Sequence, residues 1–169
     1  MTDTRIERDS MGEVCVPAGA LYGAQTQRAI DNFRISGQVM PEGFVRALLR
    51  VKRAAAQANG ELGLLERDVA AAIVAACGEL LEEEALVRHF PIDVFQTGSG
   101  TSTNMNVNEV VSTLTGGAAH PNDHVNLGQS SNDTVPTAAQ LAALELIEQR
   151  FVPAIGRLID ELRARAADF

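Results

Sequence analysis

Two segments of the sequence concentrate neutral hydrogen-bond donors. Residues 97–109 combine two glycines, five hydroxyl side chains and three asparagines, and they carry no charge before Glu109. Residues 120–133 are similarly dense in Asn, Gln and Ser. Each segment runs into a predicted helix start, where free backbone N–H groups and the positive end of the helix dipole favour an anion. Because glycines also let the backbone approach a ligand closely, the two segments predict binding of a small anion.

Other interpretations of these donors stay open. A single Ser or Asn before a helix more often serves as its N-cap than as a ligand-binding group. Phosphate is a rival anion, although the GxxxxGK[ST] spacing of a P-loop is absent and neither segment contains a lysine. A metal site at His120, Asp123 and His124 is disfavoured, because Pro121 predicts a turn rather than a helix that would bring the two histidines together. We therefore predict neither a metal nor a cofactor.

Composition limits the class of partner. Fourteen Lys and Arg against 22 Asp and Glu give a net charge of −8, which argues against nucleic acid because phosphate binding needs a basic surface. An anionic substrate must then be attracted locally rather than by overall charge. Cys15 and Cys77 match no metal or CxxC pattern and are expected to be reduced. With no apolar run long enough for a membrane span and no leader, we expect a cytoplasmic protein with no membrane partner.

The elements that must position these segments are mostly helical. A turn at residues 9–12 leads into an extended segment over residues 13–17. A short helix is predicted from Gly23, ending near Gly37. Apolar residues spaced by three and four predict further helices, with Phe44, Leu48, Val51, Ala55 and Ala58 on one face of the first and Val69, Ile73, Ala76 and Leu80 on one face of the second. The other predictions are a helix end bracketed by Gly60 and Gly63, an extended segment over residues 92–96, a helix over residues 104–114 and a polar loop over residues 120–133.

The last segment predicts one long amphipathic helix. Its apolar stripe is Leu144, Ile147, Phe151, Ile155, Leu158 and Leu162, with a mean spacing close to the helical repeat. Pro136 is expected in the first turn, where its missing N–H costs nothing. Pro153 is expected to kink the helix rather than end it, because the stripe continues in phase. No C-cap precedes Phe169, so we expect a truncated chain.

The motifs resemble those of one enzyme family. Residues 97–109 resemble the TGSGTxxNMNxNE segment of class II fumarases and the related aspartases, and residues 120–133 resemble their HPNDxVNxxQSSND segment. Residues 9–12, 22–28 and 51–56 also resemble the N-terminal region of that superfamily. The resemblance implies a mostly α fold in which residues 1–132 form the N-terminal lyase domain, with a short extended N-terminal segment. Residues 133–169 would then begin the first long helix of a central helical bundle shared in a homotetramer.

The resemblance also implies a function. Members interconvert fumarate and (S)-malate, a reaction of the tricarboxylic acid cycle, by anti addition or elimination of water; aspartate ammonia-lyase and an isolated, non-catalytic binding or assembly fragment are the alternatives. The implied substrate-binding residues are Ser99, Gly100, Thr101, Asn104, Ser130, Ser131 and Asn132, and those of a secondary dicarboxylate site are His120, Pro121, Asn122 and Asp123. The family's catalytic histidine segment and its mobile loop lie further along a longer chain, so no catalytic residue is assigned within residues 1–169.

Two departures from the fumarase pattern concern the secondary site. The stretch between Glu109 and His120 is shorter than is usual in fumarases. A basic residue expected shortly before the HPND segment is replaced by Gly116, Gly117, Ala118 and Ala119.

Overall fold

The computed structural model describes residues 3–169, which begin with a β-hairpin. Strands β1 (Thr4–Asp9) and β2 (Gly12–Pro17) pair antiparallel, with Ile6 opposite Cys15. The extended segment predicted after the turn is therefore confirmed as β2. β1 was not predicted, because alternating charged residues leave it without an apolar face that would mark a strand.

The prediction of a mostly helical fold is confirmed. The α-helices are α1 (Ala24–Asn32), α2 (Glu42–Glu61), α3 (Arg67–Glu82), α4 (Thr101–Leu114), α5 (Ser131–Leu146) and α6 (Val152–Asp168). A 3-10 helix spans Leu86–His89, and π-helical turns span Pro121–Val125 and Ile147–Phe151. None of the helices in residues 3–169 has the length and apolar content needed to cross a bilayer.

The core forms where α2 packs between α3 and α5. Leu48 and Leu49 of α2 and Ile73 of α3 are fully buried there, together with Val107 of α4 and Ala138 of α5. Burying a Leu or Ile side chain stabilises a fold by about 1.5–3 kcal/mol. This cluster therefore fixes α4 and α5, whose N-termini carry the predicted anion-binding segments, against one common support.

The buried face of α2 differs from the predicted stripe. Lys52 and Ala56 are buried, whereas Val51 and Ala55 are only partly so and Ala58 is exposed. The apolar pattern was ambiguous because the alanine-rich segment offers several overlapping stripes, and packing against both α3 and α5 decides between them. The predicted helix end between Gly60 and Gly63 is confirmed, because α2 ends at Glu61, and a Cβ at Gly60 would come within 2.8 Å of the Ala70 Cβ of α3.

Helix α1 ends at Asn32, earlier than predicted. The chain beyond it is held by Asp93, whose carboxylate accepts hydrogen bonds from the backbone N–H groups of Ser36, Gly37 and Phe95 and from the Ser36 hydroxyl. Burial opposes ionisation of this carboxyl, but these hydrogen bonds outweigh it and hold the pKa of Asp93 well below its usual value. The predicted extended segment over residues 92–96 is present only as a single bridge between Asp93 and Val39.

A second buried carboxylate attaches α1 to α4. Glu109 of α4 accepts hydrogen bonds from the backbone N–H groups of Gly23, Gln25 and Thr26 at distances of 2.9, 2.9 and 3.1 Å. These groups are the unpaired donors of the α1 N-terminus, where a negative charge is stabilised by the helix dipole. Arg28 of α1 in turn binds Asp9 through two hydrogen bonds, so the hairpin is fixed to the same unit.

The long C-terminal helix is interrupted but not ended. The chain stays helical from Ser131 to Asp168, with the π-helical turn Ile147–Phe151 between α5 and α6. This turn ends two residues before Pro153. The proline ring crowds the turn before it and the missing N–H removes one hydrogen bond, and a widened turn accommodates both effects. The placement of Pro136 in the first turn was wrong, because α5 already begins at Ser131 and Pro136 lies inside the helix.

Candidate functional site

The two segments predicted to bind an anion meet at the starts of α4 and α5. The Thr101 hydroxyl of α4 lies 3.1 Å from the Ser131 hydroxyl of α5, and the Ser99 hydroxyl lies 2.9 Å from that of Thr101. Three hydroxyl groups thus form a continuous chain of hydrogen bonds between segments that are 30 residues apart. The N-termini of two helices, which are the positive ends of their dipoles, therefore meet in one region.

Gly100 makes this approach possible. It precedes α4 with φ +69°, a left-handed conformation that side-chain-bearing residues rarely adopt. A Cβ at this position would come within 3.0 Å of Val135 Cγ1 on α5. Glycine is therefore required both by the backbone conformation and by the close contact between the two helix starts.

The structure separates capping hydroxyls from the others. Ser130 is the N-cap of α5, its hydroxyl accepting from the Asn132 N–H at 3.2 Å, and the Thr97 hydroxyl accepts from the Ser102 N–H at 3.1 Å. Within the described residues, the hydroxyls of Ser99, Thr101 and Ser131 hydrogen-bond only to one another. The capping interpretation therefore accounts for Ser130 and Thr97 and leaves the three-hydroxyl chain without a capping role.

An open cleft of about 550 Å³ lies beside this hydroxyl chain. Four of the predicted residues line it, namely Ser99, Gly100, Ser131 and Asn132, and its remaining lining is Met40, Val94, Phe95, Gln96, Thr97, Gly98, Val135 and Pro136. This lining carries no ionised side chain, and it combines an apolar wall with convergent polar groups, as small-molecule sites commonly do. Neutral donors at two helix starts can hold a carboxylate here in a protein whose net charge is −8.

Asn104 lies beneath the cleft rather than in its lining. Its side chain is almost fully buried and donates to Asn126 Oδ1 at 3.1 Å, while its own Oδ1 accepts from the Thr134 hydroxyl at 3.4 Å. Its partners connect α4 with the segment before α5 and with α5 itself. A direct contact between Asn104 and a ligand stays a prediction.

The predicted secondary site occupies a different cleft. Residues 121–125 form a π-helical turn, not the loop that was predicted, in which His120 Nδ1 accepts from the Asp123 N–H and the His120 N–H donates to His124 Nδ1. His120, Pro121 and Asn122 line this cleft of about 390 Å³, and Asp123 is exposed beside it.

Acidic side chains dominate the charge of the second cleft. Glu7, Asp9 and Glu109 line it, and Arg8 is its single lining arginine. Asp9 is paired with Arg28, and this hydrogen bond lowers the pKa of Asp9, so its carboxylate stays charged at neutral pH. The first cleft, by contrast, is lined by neutral donors and by no carboxylate. A secondary dicarboxylate site in the second cleft stays a prediction. Across residues 3–169, no cluster of three or more His, Cys, Asp or Glu side chains is arranged to hold a metal ion.

Comparison with known proteins places the chain in a family. A family model described as "Lyase" matches residues 12–169. The chain belongs to this lyase family.

Similar proteins agree with that membership. The protein "Fumarate hydratase class II 2" of Pseudomonas aeruginosa is 56% identical over 172 residues, and "Fumarate hydratase class II" of Xylella fastidiosa is 54% identical over 166 residues. These alignments cover 99% and 96% of the lyase chain but only 37% and 35% of the two relatives. The chain thus spans little more than a third of the length of these relatives.

Solved structures share the fold. A crystal structure of class II fumarase from Schistosoma mansoni superposes with a TM-score of 0.94 at 39% identity, covering 99% of this chain and 37% of that one. The structure titled "fumarate lyase:delta crystallin" from Brucella melitensis gives a TM-score of 0.91 at 44% identity, covering 98% and 40%. The resemblance to class II fumarases and the predicted fold class are therefore confirmed for this part of the relatives' length.

The sequence did not point to Lys52, which is the only lysine of the lyase chain. Lys52 is fully buried, and its Nζ donates to Asn126 Oδ1 at 2.8 Å. That oxygen also accepts from the side-chain amides of Asn104 and Asn108 at 3.1 and 3.2 Å. The available signal was the spacing of Leu48, Lys52 and Ala56, which puts a charge on a buried helix face.

Burial changes the acid–base properties of Lys52. It lowers the pKa of this lysine to about 7, with a small opposing effect from Cys77, and it raises the pKa of the Cys77 thiol to about 12. Among the described residues, Lys52 has no carboxylate within ion-pair distance. When the Lys52 amine is protonated, no carboxylate of the described residues neutralises its charge in the folded state.

Replacing Gly100 with Ala should perturb the site. We expect Gly100→Ala to lower the free energy of unfolding by about 1–3 kcal/mol, because alanine is strained at positive φ and its Cβ meets Val135. Urea unfolding of the variant and of the matched control Gly98→Ala measures this effect, since a Cβ at Gly98 meets nothing and its φ is not positive. Equal stability of the two variants would contradict the close contact between the helix starts.

The stability of the protein should rise with pH because of Lys52. Between about pH 7 and 9 the unfolded lysine still binds a proton that the folded one has released, so the free energy of unfolding should rise by about 2 kcal/mol over this range. Above the ordinary thiol pKa of about 9, unfolded Cys77 loses its proton first and opposes the trend.

Lys52→Met should remove this rise, whereas the adjacent exposed Arg53→Met should keep it. Urea unfolding at several pH values provides the measurement, and an NMR titration of the single lysine reports its pKa directly. A lysine that titrates near 10, or an unchanged pH dependence in Lys52→Met, would refute the assignment.

Proposed function

We propose that this chain forms the dicarboxylate-binding part of a fumarate hydratase, which interconverts fumarate and (S)-malate by anti addition or elimination of water. The observation that carries the proposal is the hydroxyl chain of Ser99, Thr101 and Ser131 at two adjoining helix N-termini. The names of the P. aeruginosa and X. fastidiosa relatives support it. Ser99, Gly100, Thr101, Ser131 and Asn132 are the proposed contacts to one substrate carboxylate, with Ser130 and Asn104 holding them in place.

The chemistry explains why neutral donors suit this reaction. Removing a proton next to a carboxylate moves negative charge onto that carboxylate in an enolate-like intermediate. Donors that are fixed before the reaction stabilise this charge without reorganisation, and they act more strongly on the intermediate than on the ground state. The hydroxyls of Thr101 and Ser131, at the positive ends of the α4 and α5 dipoles, have this arrangement.

The groups that transfer the proton are proposed to lie outside this chain. The chain covers 37% of the P. aeruginosa relative. We expect the catalytic histidine segment and the mobile loop, which the resemblance implies, in the part that it does not cover. We therefore assign the binding of a carboxylate, and no proton transfer, to residues of this chain. The cytoplasmic location and the boundary between domains at residues 132 and 133 stay predictions.

Assembly into a homotetramer is proposed from the long C-terminal helix. The apolar residues of the stripe remain exposed along α6 and the π-helical turn before it, with Phe151, Leu158 and Leu162 each more than half exposed. A helix cannot bury such a face by itself, and packing against helices of other subunits in a bundle would cover it.

A steady-state assay tests the proposed reaction. An enzyme comprising this chain and the remaining length of its relatives should dehydrate malate, and Ser131→Ala should lower kcat/KM by about 10–100-fold because one donor to the developing charge is lost. Thr4→Ala, which removes an exposed hydroxyl of β1 that lines neither cleft, is the matched control and should leave kcat/KM unchanged. Residues 1–169 alone should show no turnover.

Two outcomes would contradict the proposal. Aspartate formation from fumarate and ammonia without malate formation would establish the ammonia-lyase alternative instead. Turnover by residues 1–169 would refute the assignment of proton transfer to residues outside this chain.

Light scattering of the same enzyme tests the proposed assembly. We expect the mass of a tetramer for the wild type and a smaller species for Leu158→Glu, because a buried unpaired carboxylate in a bundle costs several kcal/mol or roughly 10³-fold in association. Asp160→Lys changes a residue on the opposite face of α6 and should remain tetrameric. A wild-type monomer, or a tetramer that persists in Leu158→Glu, would contradict the role of this face.

A further inference from the structure

We propose that Lys52 and Asn126 form a positioning pair that fixes the dicarboxylate-binding residues of α5 relative to α4, with Lys52 acting on the substrate only through Asn126. This inference rests on the proposed function. Lys52 is fully buried and does not line the cleft, so it is not in a position to contact a ligand. Its effect must pass through the side chain that it binds.

Asn126 joins three parts of the structure at one amide. Its Oδ1 accepts hydrogen bonds from Lys52 of α2 and from Asn104 and Asn108 of α4. Its Nδ2 donates to the backbone carbonyl of Gln129 at 3.2 Å. Gln129 directly precedes Ser130, so this amide sets where the chain enters α5.

Helix α2 holds the same segment at a second point. Asn59, two turns after Lys52, donates from Nδ2 to the Leu127 carbonyl at 3.0 Å. Gln129 also folds back, donating from Nε2 to the Val125 carbonyl at 2.9 Å. Side chains therefore hold the segment between residues 121–125 and α5, in addition to the turn hydrogen bonds donated by the N–H groups of Leu127 and Gln129.

The hydrogen-bond network reaches the other side of the binding residues as well. Asn104 is bound to Asn126, and the Thr134 hydroxyl shares its one proton between Asn104 Oδ1 at 3.4 Å and the Ser130 carbonyl at 3.1 Å. Ser130, Ser131 and Asn132 thus lie between two anchored points, Gln129 and Thr134. A displacement of Asn126 would move the Ser131 hydroxyl away from that of Thr101.

Stability alone gives no reason for a lysine at this position. An amine buried without a carboxylate disfavours folding whenever it is protonated, and an apolar side chain of similar volume would avoid that cost. What the lysine provides is a donor that reaches from the core of α2 to Asn126. A role in the geometry of the site accounts for this donor.

Kinetics of the complete enzyme test the pair. Lys52→Met keeps the volume and removes the donor. We expect KM for malate to rise about tenfold, because a displaced Ser131 hydroxyl binds the substrate carboxylate less well, and kcat to fall as well, because the same hydroxyl stabilises the charge that develops on that carboxylate. Asn126→Ala should give the same rise with the lysine intact. The double variant should be no worse than Asn126→Ala, because the two residues act in series.

Controls separate positioning from general stability. Ile73→Val removes a buried methylene from α3, which contributes no hydrogen bond to Asn126; it should lower the unfolding temperature and leave KM unchanged. Lys52→Arg retains a donor and should restore KM to within about threefold of the wild type.

An unchanged KM in both Lys52→Met and Asn126→Ala, or additive effects in the double variant, would overturn the pair while leaving the proposed function intact. A wild-type enzyme that does not dehydrate malate would instead reject the proposed function and this role with it.

Discussion

The site depends on the distance between two helix N-termini. Thr101 and Ser131 can share a hydrogen bond only if α4 and α5 begin side by side, and the positive ends of two helix dipoles at close range repel each other. The packing beneath must outweigh this repulsion. Fully buried Val107 of α4 and Ala138 of α5 lie in the core cluster with Leu48 of α2, so the hydrophobic core holds together two ends that would otherwise separate. An anion in the cleft would reduce the same repulsion, which links ligand binding to the stability of the arrangement.

Hydrogen bonds between polar residues in the core fix the position of α4 relative to the segment that enters α5. Asn104 and Asn108 lie one turn apart on α4, are almost fully buried, and both donate to Asn126. Buried amides cost free energy unless they are hydrogen-bonded, and their bonds are directional where apolar contacts are not. The Oδ1 atom of Asn108 has no partner within residues 3–169, so part of this cost remains. The buried asparagines thus lower the stability of the fold slightly, and their hydrogen bonds fix the orientation of the segment that enters α5.

Sequence reasoning succeeded where the signal is local and failed where it depends on contacts between distant residues. The periodicity of α3 and the glycine and hydroxyl content before α4 are local, and both predicted the elements observed. The early end of α1 depends on Asp93, which lies about 60 residues further along the chain, and no local pattern announces it. Lys52 was missed because its neighbours offered an equally regular apolar stripe that excluded it. The comparison of motifs supplied the identities of Ser99 and Ser131, but only the fold shows that a hydroxyl chain joins them.

The two ends of the α5–α6 helix differ: polar side chains are buried beside its beginning, and apolar side chains are exposed at its end. Its beginning, at Ser131, lies over buried asparagines and a buried lysine, whereas its end leaves Leu158 and Leu162 exposed. Both ends belong to one helical stretch from Ser131 to Asp168, continued through the π-helical turn. Contacts that cover the apolar end would therefore restrict the orientation of the end that carries the Ser131 hydroxyl. Because that orientation determines the distance between Ser131 and Thr101, the proposed assembly through α6 would affect the geometry of the proposed carboxylate site through one helical stretch.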